Sequence, residues 1–506
     1  MVRGNPRNVN ISVNNLVIPQ VTELKFLGRI ISANLSIKNH YEAVKNKSES
    51  SIKLFQGLTS IRAGLHPSVG LNFYKSLVRS GIEYARTTAC LANVNVINNK
   101  IASLQCIFLR RCLGLSPVTP KYLIYAFANE LPPKERSVWL TAREIIKIKF
   151  FNPDLYEFIK TNKNVNSSYA NVFREFEDIF ENINTNTSFL KISNFDVTLK
   201  NFEGKKFTAD LQSIRADFNQ MLQSFLRSGF AAFATDASVG EESTGCAVYC
   251  IERNVSLMFR INRVVSSCMG ELTAILQAVI VARDTQCRKL VIFTDSLVAC
   301  QMLNQNSTTN FCVARIHNLI VDARFESVHV VWTPSHVGIT FNEEADKIAK
   351  KAVLRGRIIH TDLSDIDGAA IIENSIFDEW YCDVLSQDRD TQSIFHKLFP
   401  HRRKKPWFWY FYIAPKYAKM INRIIAGRTY DKVYLRNINR ADSMLCFCGF
   451  IESFQHLVFE CPAFDSIRNK FDVVNKNDSC LDILIENKSE IWCEFAKFLE
   501  ECKFNF

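Results

Sequence analysis

Nowhere in the 506 residues do eighteen apolar residues run together, which speaks against a membrane-spanning helix. The opening Met1-Val2-Arg3-Gly4-Asn5-Pro6 lacks the apolar core of a secretory leader, so an intracellular protein, nuclear or cytoplasmic and not secreted, is expected. No internal repeat of solenoid period is present. Wholesale disorder is excluded as well, because a chain that is 47% hydrophobic can bury enough apolar surface to offset its ordering entropy. A single core is excluded by length, which suggests about three domains. Sixteen cysteines are present, but most sit inside apolar stretches, among them Cys106, Cys112, Cys246, Cys250 and Cys300. They read as small buried hydrophobes in a reducing compartment rather than as a disulfide framework.

The net charge of +11 is not spread evenly. Between His396 and Arg440 twelve Lys or Arg stand against one acid, Asp431, so this segment alone carries a surplus equal to that of the whole chain. A local surplus of this kind suits an acidic polymer. It contains His401-Arg402-Arg403-Lys404-Lys405-Pro406, followed by Trp407 through Tyr412, six aromatic residues in a row. Aromatic runs so dense are usually half buried, which favours a small core for most of the rings. Arg402, Arg403, Lys404 and Lys405 are then the candidates for contact with nucleic acid, single strands included.

Along the chain, residues 1–40 alternate in short runs and are expected as strands and turns. From about Asn39 to Phe151 the period is helical, with Leu104, Ile107, Phe108 and Leu113 near one stripe and Pro132-Pro133 as a break. Residues 160–220 are expected as a linker and a connecting helix, and 355–395 as a second, acidic linker. The block between them carries most of the chemistry. Its order is strand, strand, strand, helix, strand, helix, helix, strand, helix.

Within that block, Phe230 to Asp236 is an apolar run ending in an acid, and so is Leu290 to Asp295. Glu271 opens a helix with the stripe Leu272, Ile275, Leu276 and Val279, for which Ser267 is the capping candidate. Asp346 lies on the last helix beside Ala345, Ile348 and Ala349. A single Asp at a strand end is more often a turn former or a cap. Two acids on apolar strands, with two more on helices packed on the same sheet, are costly unless a cation joins them. Oxygen-only ligation favours Mg²⁺ or Mn²⁺ over Zn²⁺.

Thr235-Asp236-Ala237-Ser238, Gly270-Glu271-Leu272, Thr294-Asp295-Ser296, Ser335-His336-Val337-Gly338-Ile339 and Asn342-Glu343-Glu344-Ala345-Asp346 occur in this order, and together they resemble the type 1 ribonuclease H family over residues 228–354. The resemblance implies an α/β fold, with a mixed five-stranded sheet flanked by helices. It implies two Mg²⁺ or Mn²⁺ ions on Asp236, Glu271, Asp295 and Asp346, and a loop histidine, His336, that assists proton transfer or product release. The activity implied is metal-dependent endonucleolytic cleavage of the RNA strand of RNA–DNA hybrids. Two positions depart from the family. Ala237 and Phe341 stand where Gly is usual, and Phe341 is expected to stiffen or redirect the His336 loop.

Near the C-terminus, Cys446-Phe447-Cys448-Gly449, His456 and Cys461-Pro462 supply three thiolates and an imidazole within sixteen residues. That set can close a structural Zn²⁺ shell, with three buried cysteines and a surface histidine as the alternative. With Met420 through Arg428 ahead of it, the cluster resembles the zinc-binding tail of non-LTR retrotransposon polyproteins. Lys25-Phe26-Leu27-Gly28, Gly81-Ile82-Glu83-Tyr84, Arg110 to Gly114 and Leu131-Pro132-Pro133 resemble the region after the palm in reverse transcriptases of those elements. No Asp-Asp dipeptide occurs, so no polymerase centre is expected. The resulting organisation is a thumb-like helical region (1–200), a connecting helix (201–227), the nuclease (228–354), a linker (355–395) and a basic helical region with a zinc knuckle (396–506). A second reading, a catalytically inactive retroelement-derived nucleic-acid binder, follows from Phe341 and the missing polymerase centre.

Overall fold

The computed structural model describes residues 11–14, 16–33, 38–55, 58, 64–84, 94–185, 192–199, 211–305, 310–388, 393–411 and 413–504. Tyr412, counted above in the aromatic run, lies outside them. The chain forms two compact units, one from residues 1–141, 166–168 and 373–506 and the other from 142–165 and 169–372. Among the described residues no helix is long and apolar enough to cross a membrane.

The first unit opens with two antiparallel hairpins, β1 (Ile11–Val13) with β2 (Leu16–Ile18) and β3 (Glu23–Phe26) with β4 (Arg29–Ser32). Helices follow, as the 3.6-residue period suggests. In Val94–Leu113 the residues Leu104, Phe108 and Leu113 are buried, but Ile107 is 46% exposed. Ile101, Leu104, Gln105, Phe108 and Cys112 form the buried stripe instead, which places Ile107 off it.

The end of that helix packs on a helix from the other end of the chain, Pro415–Ile425, where Lys419 and Asn422 are fully buried and Arg423 nearly so. Asn422 donates through Nδ2 to the Leu113 carbonyl (2.9 Å) and accepts at Oδ1 from Trp407 Nε1 (2.9 Å). Arg423 Nε donates to the Gly114 carbonyl at 2.6 Å. Gly114 has φ +72°, and a Cβ there would come within 2.4 Å of Lys419 Cβ, so only glycine serves at this crossing. Part of the basic surplus is therefore spent inside a core. Residues from the N-terminal helical region and from the C-terminal basic region share one unit.

The second unit is built on a seven-stranded sheet, two strands wider than the expected five, in the order β11-β8-β7-β6-β9-β10-β5. Its central strands are β6 (Ala231–Val239), β7 (Thr244–Cys250), β8 (Val255–Ile261), β9 (Lys289–Thr294) and β10 (Ser327–Trp332). Strands β6, β7 and β8 form an antiparallel meander, while β9 and β10 run parallel to β6. The extra edges are β5 (Phe195–Thr198), parallel to β10, and β11 (Arg357–Ile359), parallel to β8. Both come from stretches expected as linkers. The stretch 355–395, expected as a linker, also carries the 24-residue helix Asp365–Asp388. Short edge strands with one apolar face give a weak two-residue period, so their sequence carries little strand signal.

The central strands β6, β9 and β10 are covered on both faces, and apolar side chains point to each. On one face Phe233, Leu290, Ile292, Val328 and Val330 pack with the helices Ser267–Asp284, Leu297–Leu303 and Phe311–Asp322. On the other, Ala232, Ala234, Val291, Phe293 and Val331 pack with Ile214, Phe218 and Leu222 of helix Leu211–Arg227 and with Val337, Ile339 and Phe341. Helix Thr340–Arg355 lies on Ala247 through Ile348 and Ala349. The cap of helix Ser267–Asp284 is Ser266, whose hydroxyl accepts from the Met269 amide, and not Ser267.

Candidate active site and metal clusters

Parallel pairing of β6 with β9 puts Thr235 opposite Thr294. The next residue after each is an acid, Asp236 on β6 and Asp295 just past β9, so register brings two carboxylates side by side. Glu271 joins them because its helix approaches β6 closely. A Cβ on Gly270 would stand 2.9 Å from Ala237 Cβ and 3.1 Å from Thr244 Cγ2. Glycine in front of Glu271 is thus what lets the helix seat there. The Ala237 amide donates to Asp236 Oδ1 (2.8 Å) and to Glu271 Oε1 (3.1 Å). Since that donor is backbone, Ala in place of Gly at this position leaves the bonds intact.

Carboxylate oxygens of Asp236, Glu271 and Asp295 all lie within 4.8 Å of one another. Asp236 and Glu271 are buried. Burial, reinforced by the Asp295 and Asp346 charges, pushes Asp236 up to about 6. Glu271 is pushed well above the usual carboxylate range, by burial first and the Asp236 charge second. Its Oε2 is buried with no hydrogen-bond partner among the described residues. Three clustered acids with an orphaned oxygen are the donor set a hard divalent cation completes, and oxygen-only chemistry fits Mg²⁺ or Mn²⁺.

The fourth expected ligand stands apart. Asp346 accepts from Lys350 Nζ at 2.6 Å, one helical turn along, and is not in the mutually close set, although its charge reaches Asp236. His336 is exposed with φ +58° on the loop after β10. Phe341, expected to stiffen or redirect this loop, is buried and packs on Phe293 with ring centroids 4.8 Å apart. It seats the loop in the core. Asn342, to which the sequence reading gave no role, is 4% exposed. It accepts at Oδ1 from Thr333 Oγ1 (3.0 Å) and its Nδ2 lies 3.5 Å from Asp295 Oδ2. Trp332 Nε1 donates to the Asp295 carbonyl at 3.0 Å. Asn342 was already part of a recognised motif. Only the fold shows that its side chain faces Asp295.

In the first unit, Cys446, Cys448, His456 and Cys461 offer ligand atoms all within 4.8 Å of one another. A bridge between Leu445 and Ile451 closes the loop, and Gly449 supplies its positive φ of +92°. Cys448 Sγ is 3.1 Å from His456 Nε2, and Cys446 Sγ is 3.8 Å from Cys461 Sγ. The other ring nitrogen of His456 faces Glu460 Oε2 at 3.5 Å. A hydrogen bond from the Phe450 backbone holds the Cys448 thiol down to about 7, while burial pushes Cys461 up to about 11. One low and one high thiol in a single cluster fit a set that shares protons, which a bound Zn²⁺ would displace.

The four consecutive cations diverge. Arg402 and Lys404 line a cavity of about 1000 Å³ in the first unit together with Lys75, Arg79 and Arg136, and with Glu130, Glu373 and Asp378. Arg402 is held by Asp378 (2.8 Å) and Asn374 (2.7 Å). Arg403 lies over the Phe399 ring at 4.9 Å, and Lys405 borders a smaller recess with Trp407. Trp407 and Phe408 are core residues, as the density of the run suggests, whereas Tyr410 is 55% exposed. No curated protein matches the chain. Residues 230–354, the stretch from the start of β6 through helix Thr340–Arg355, match the family model described as RNase H, and this part of the chain is an RNase H domain.

Proposed function

We propose that the chain is a metal-dependent endonuclease that hydrolyses the RNA strand of RNA–DNA hybrids, and that it derives from a retroelement polyprotein. One observation carries the reading: within the RNase H domain, Asp236, Glu271 and Asp295 converge, with Glu271 Oε2 buried and unpartnered. These three would hold Mg²⁺ or Mn²⁺, as two ions when Asp346 turns from Lys350 toward Asp236. A bound ion supplies Lewis-acid polarisation of the scissile phosphate and neutralises developing charge.

The residues do the rest. The Ala237 amide fixes the inner oxygens of Asp236 and Glu271, while Asn342 and Trp332 position Asp295. His336, exposed on its loop, would exchange a proton at the departing 3′ oxygen. Water attacks phosphorus, the P–O3′ bond breaks, and the products carry a 3′-hydroxyl and a 5′-phosphate. Hybrid shape and 2′-hydroxyl contacts, rather than base sequence, would select the substrate. Mg²⁺-dependent cleavage of a labelled hybrid by the wild type, lost by about a thousandfold in Asp295→Asn, is the expected result. Binding of the hybrid by both proteins with cleavage by neither would establish the rival reading, an inactive nucleic-acid binder. That rival has one feature on its side, the engagement of Asp346 by Lys350.

Two further assignments complete the reading. The set Cys446, Cys448, His456 and Cys461 would hold a structural Zn²⁺, since four protein ligands leave no open position. The cavity bordered by Arg402 and Lys404 would contact the phosphates of a single strand, with residues 1–200 as a scaffold that lacks a polymerase centre.

A further inference from the structure

We infer that helix Leu211–Arg227, which precedes the RNase H match, is a working part of the nuclease, and that Arg215 on it is a positioning residue for the His336 loop. Nε of Arg215 donates to the Val337 carbonyl at 2.7 Å, one residue beyond His336. The guanidinium lies flat against Gly338, close enough that a Cβ there would meet Nη2, Cζ and Nε at 2.4 to 2.5 Å. Gly338 has φ +83° and His336 has φ +58°, so the loop turns twice through the left-handed region within three residues. Such a path persists only where its surroundings over-determine it. The same helix supplies the surroundings, because Ile214, Phe218 and Leu222 share one core cluster with Val337, Ile339 and Phe341.

Apolar contacts therefore anchor Val337, Ile339 and Phe341, and the hydrogen bond from Arg215 holds the Val337 carbonyl next to His336. His336, between Ser335 and Val337, takes its orientation from that carbonyl. Arg215 reaches the chemistry only through the histidine. The kinetic half of this inference rests on the nuclease reading. Its structural half does not.

Two measurements on the full chain test it. Hydrogen exchange across residues 335–339 is expected to quicken about fivefold in Arg215→Ala, the scale of one lost hydrogen bond, and to be largely restored in Arg215→Lys, which keeps a donor. In hybrid cleavage, Arg215→Ala is expected to lower kcat by about fivefold with little change in KM. It should have no further effect in a His336→Ala background, because two residues acting as one unit are not additive. Unchanged exchange in Arg215→Ala overturns the clamp. An equal loss of kcat with and without His336 overturns the route through histidine. A wild type that does not cut hybrids sinks the nuclease reading instead, and the exchange measurement still decides whether Arg215 holds the loop.

Discussion

The two candidate metal clusters are assembled in opposite ways. Cys446, Cys448, His456 and Cys461 fall within sixteen residues of one another, and a local bridge with a positive-φ glycine gathers them. Asp236, Glu271 and Asp295 come from a strand, a helix and a strand end, and meet only because β6 pairs with β9 while Gly270 lets a helix approach. The energetic cost is distributed differently too. Asp236 and Glu271 are buried against a formed sheet, where their charge opposes folding until a cation arrives. The thiols sit at the loop that they organise, so there the metal and the local fold are expected to be one event.

Substitutions sharpen or break this contrast. The largest effect is expected for Cys461→Ser, which should take zinc content from one per chain to none and cost the C-terminal region about 3 kcal/mol or more. Metal analysis and thermal unfolding with and without chelator measure it. Unfolding unaffected by either would reduce the cluster to ordinary buried cysteines.

Next, Asp236→Asn is expected to stabilise the metal-free protein by about 2 kcal/mol at pH 7 and to erase the gain in melting temperature given by Mn²⁺. The pH dependence follows from the raised Asp236, up to about 6 from an ordinary 3.8. The native state binds more protons than the unfolded state in this interval, so metal-free stability falls as pH rises from about 4 to about 6. Asp236→Asn should flatten that slope. An identical slope in the variant would show that burial does not raise Asp236 in the metal-free protein.

The smallest effect concerns Lys350, exposed and paired with Asp346. Lys350→Ala is expected to tighten Mn²⁺ binding by about threefold, read by calorimetry, since it releases Asp346 toward the cluster. Weaker binding would mean that the lysine supports the site rather than competing for it.

The central domain was legible because its acids sit in motifs whose spacing matches alternating strands and helices. Nine elements from β6 to helix Thr340–Arg355 follow the expected order. The edge strands β5 and β11 were not, being four and three residues long with little apolar signature. Phe341 was legible only in part. Its size in place of glycine marks the loop as altered, but the partner that seats it, Phe293 on β9, is supplied by the fold. Arg215 carried no signal at all. Its neighbours Ile214, Phe218 and Leu222 mark an amphipathic helix without saying which loop it will hold.

What the sequence alone determined is the inventory of chemistry: four acids, a histidine, a thiol–imidazole set and a basic aromatic segment, each tied to local spacing. What only tertiary structure decided is which of these groups meet. It drew three acids together and left Asp346 with Lys350, turned Arg402 and Lys404 toward a cavity and Arg403 onto a ring, and buried Lys419 and Arg423 in a core shared by distant stretches of the chain. The physical reason is range. Helical period and turn chemistry act over a few residues, whereas strand register and close backbone approach bring together residues that the chain keeps tens or hundreds of positions apart.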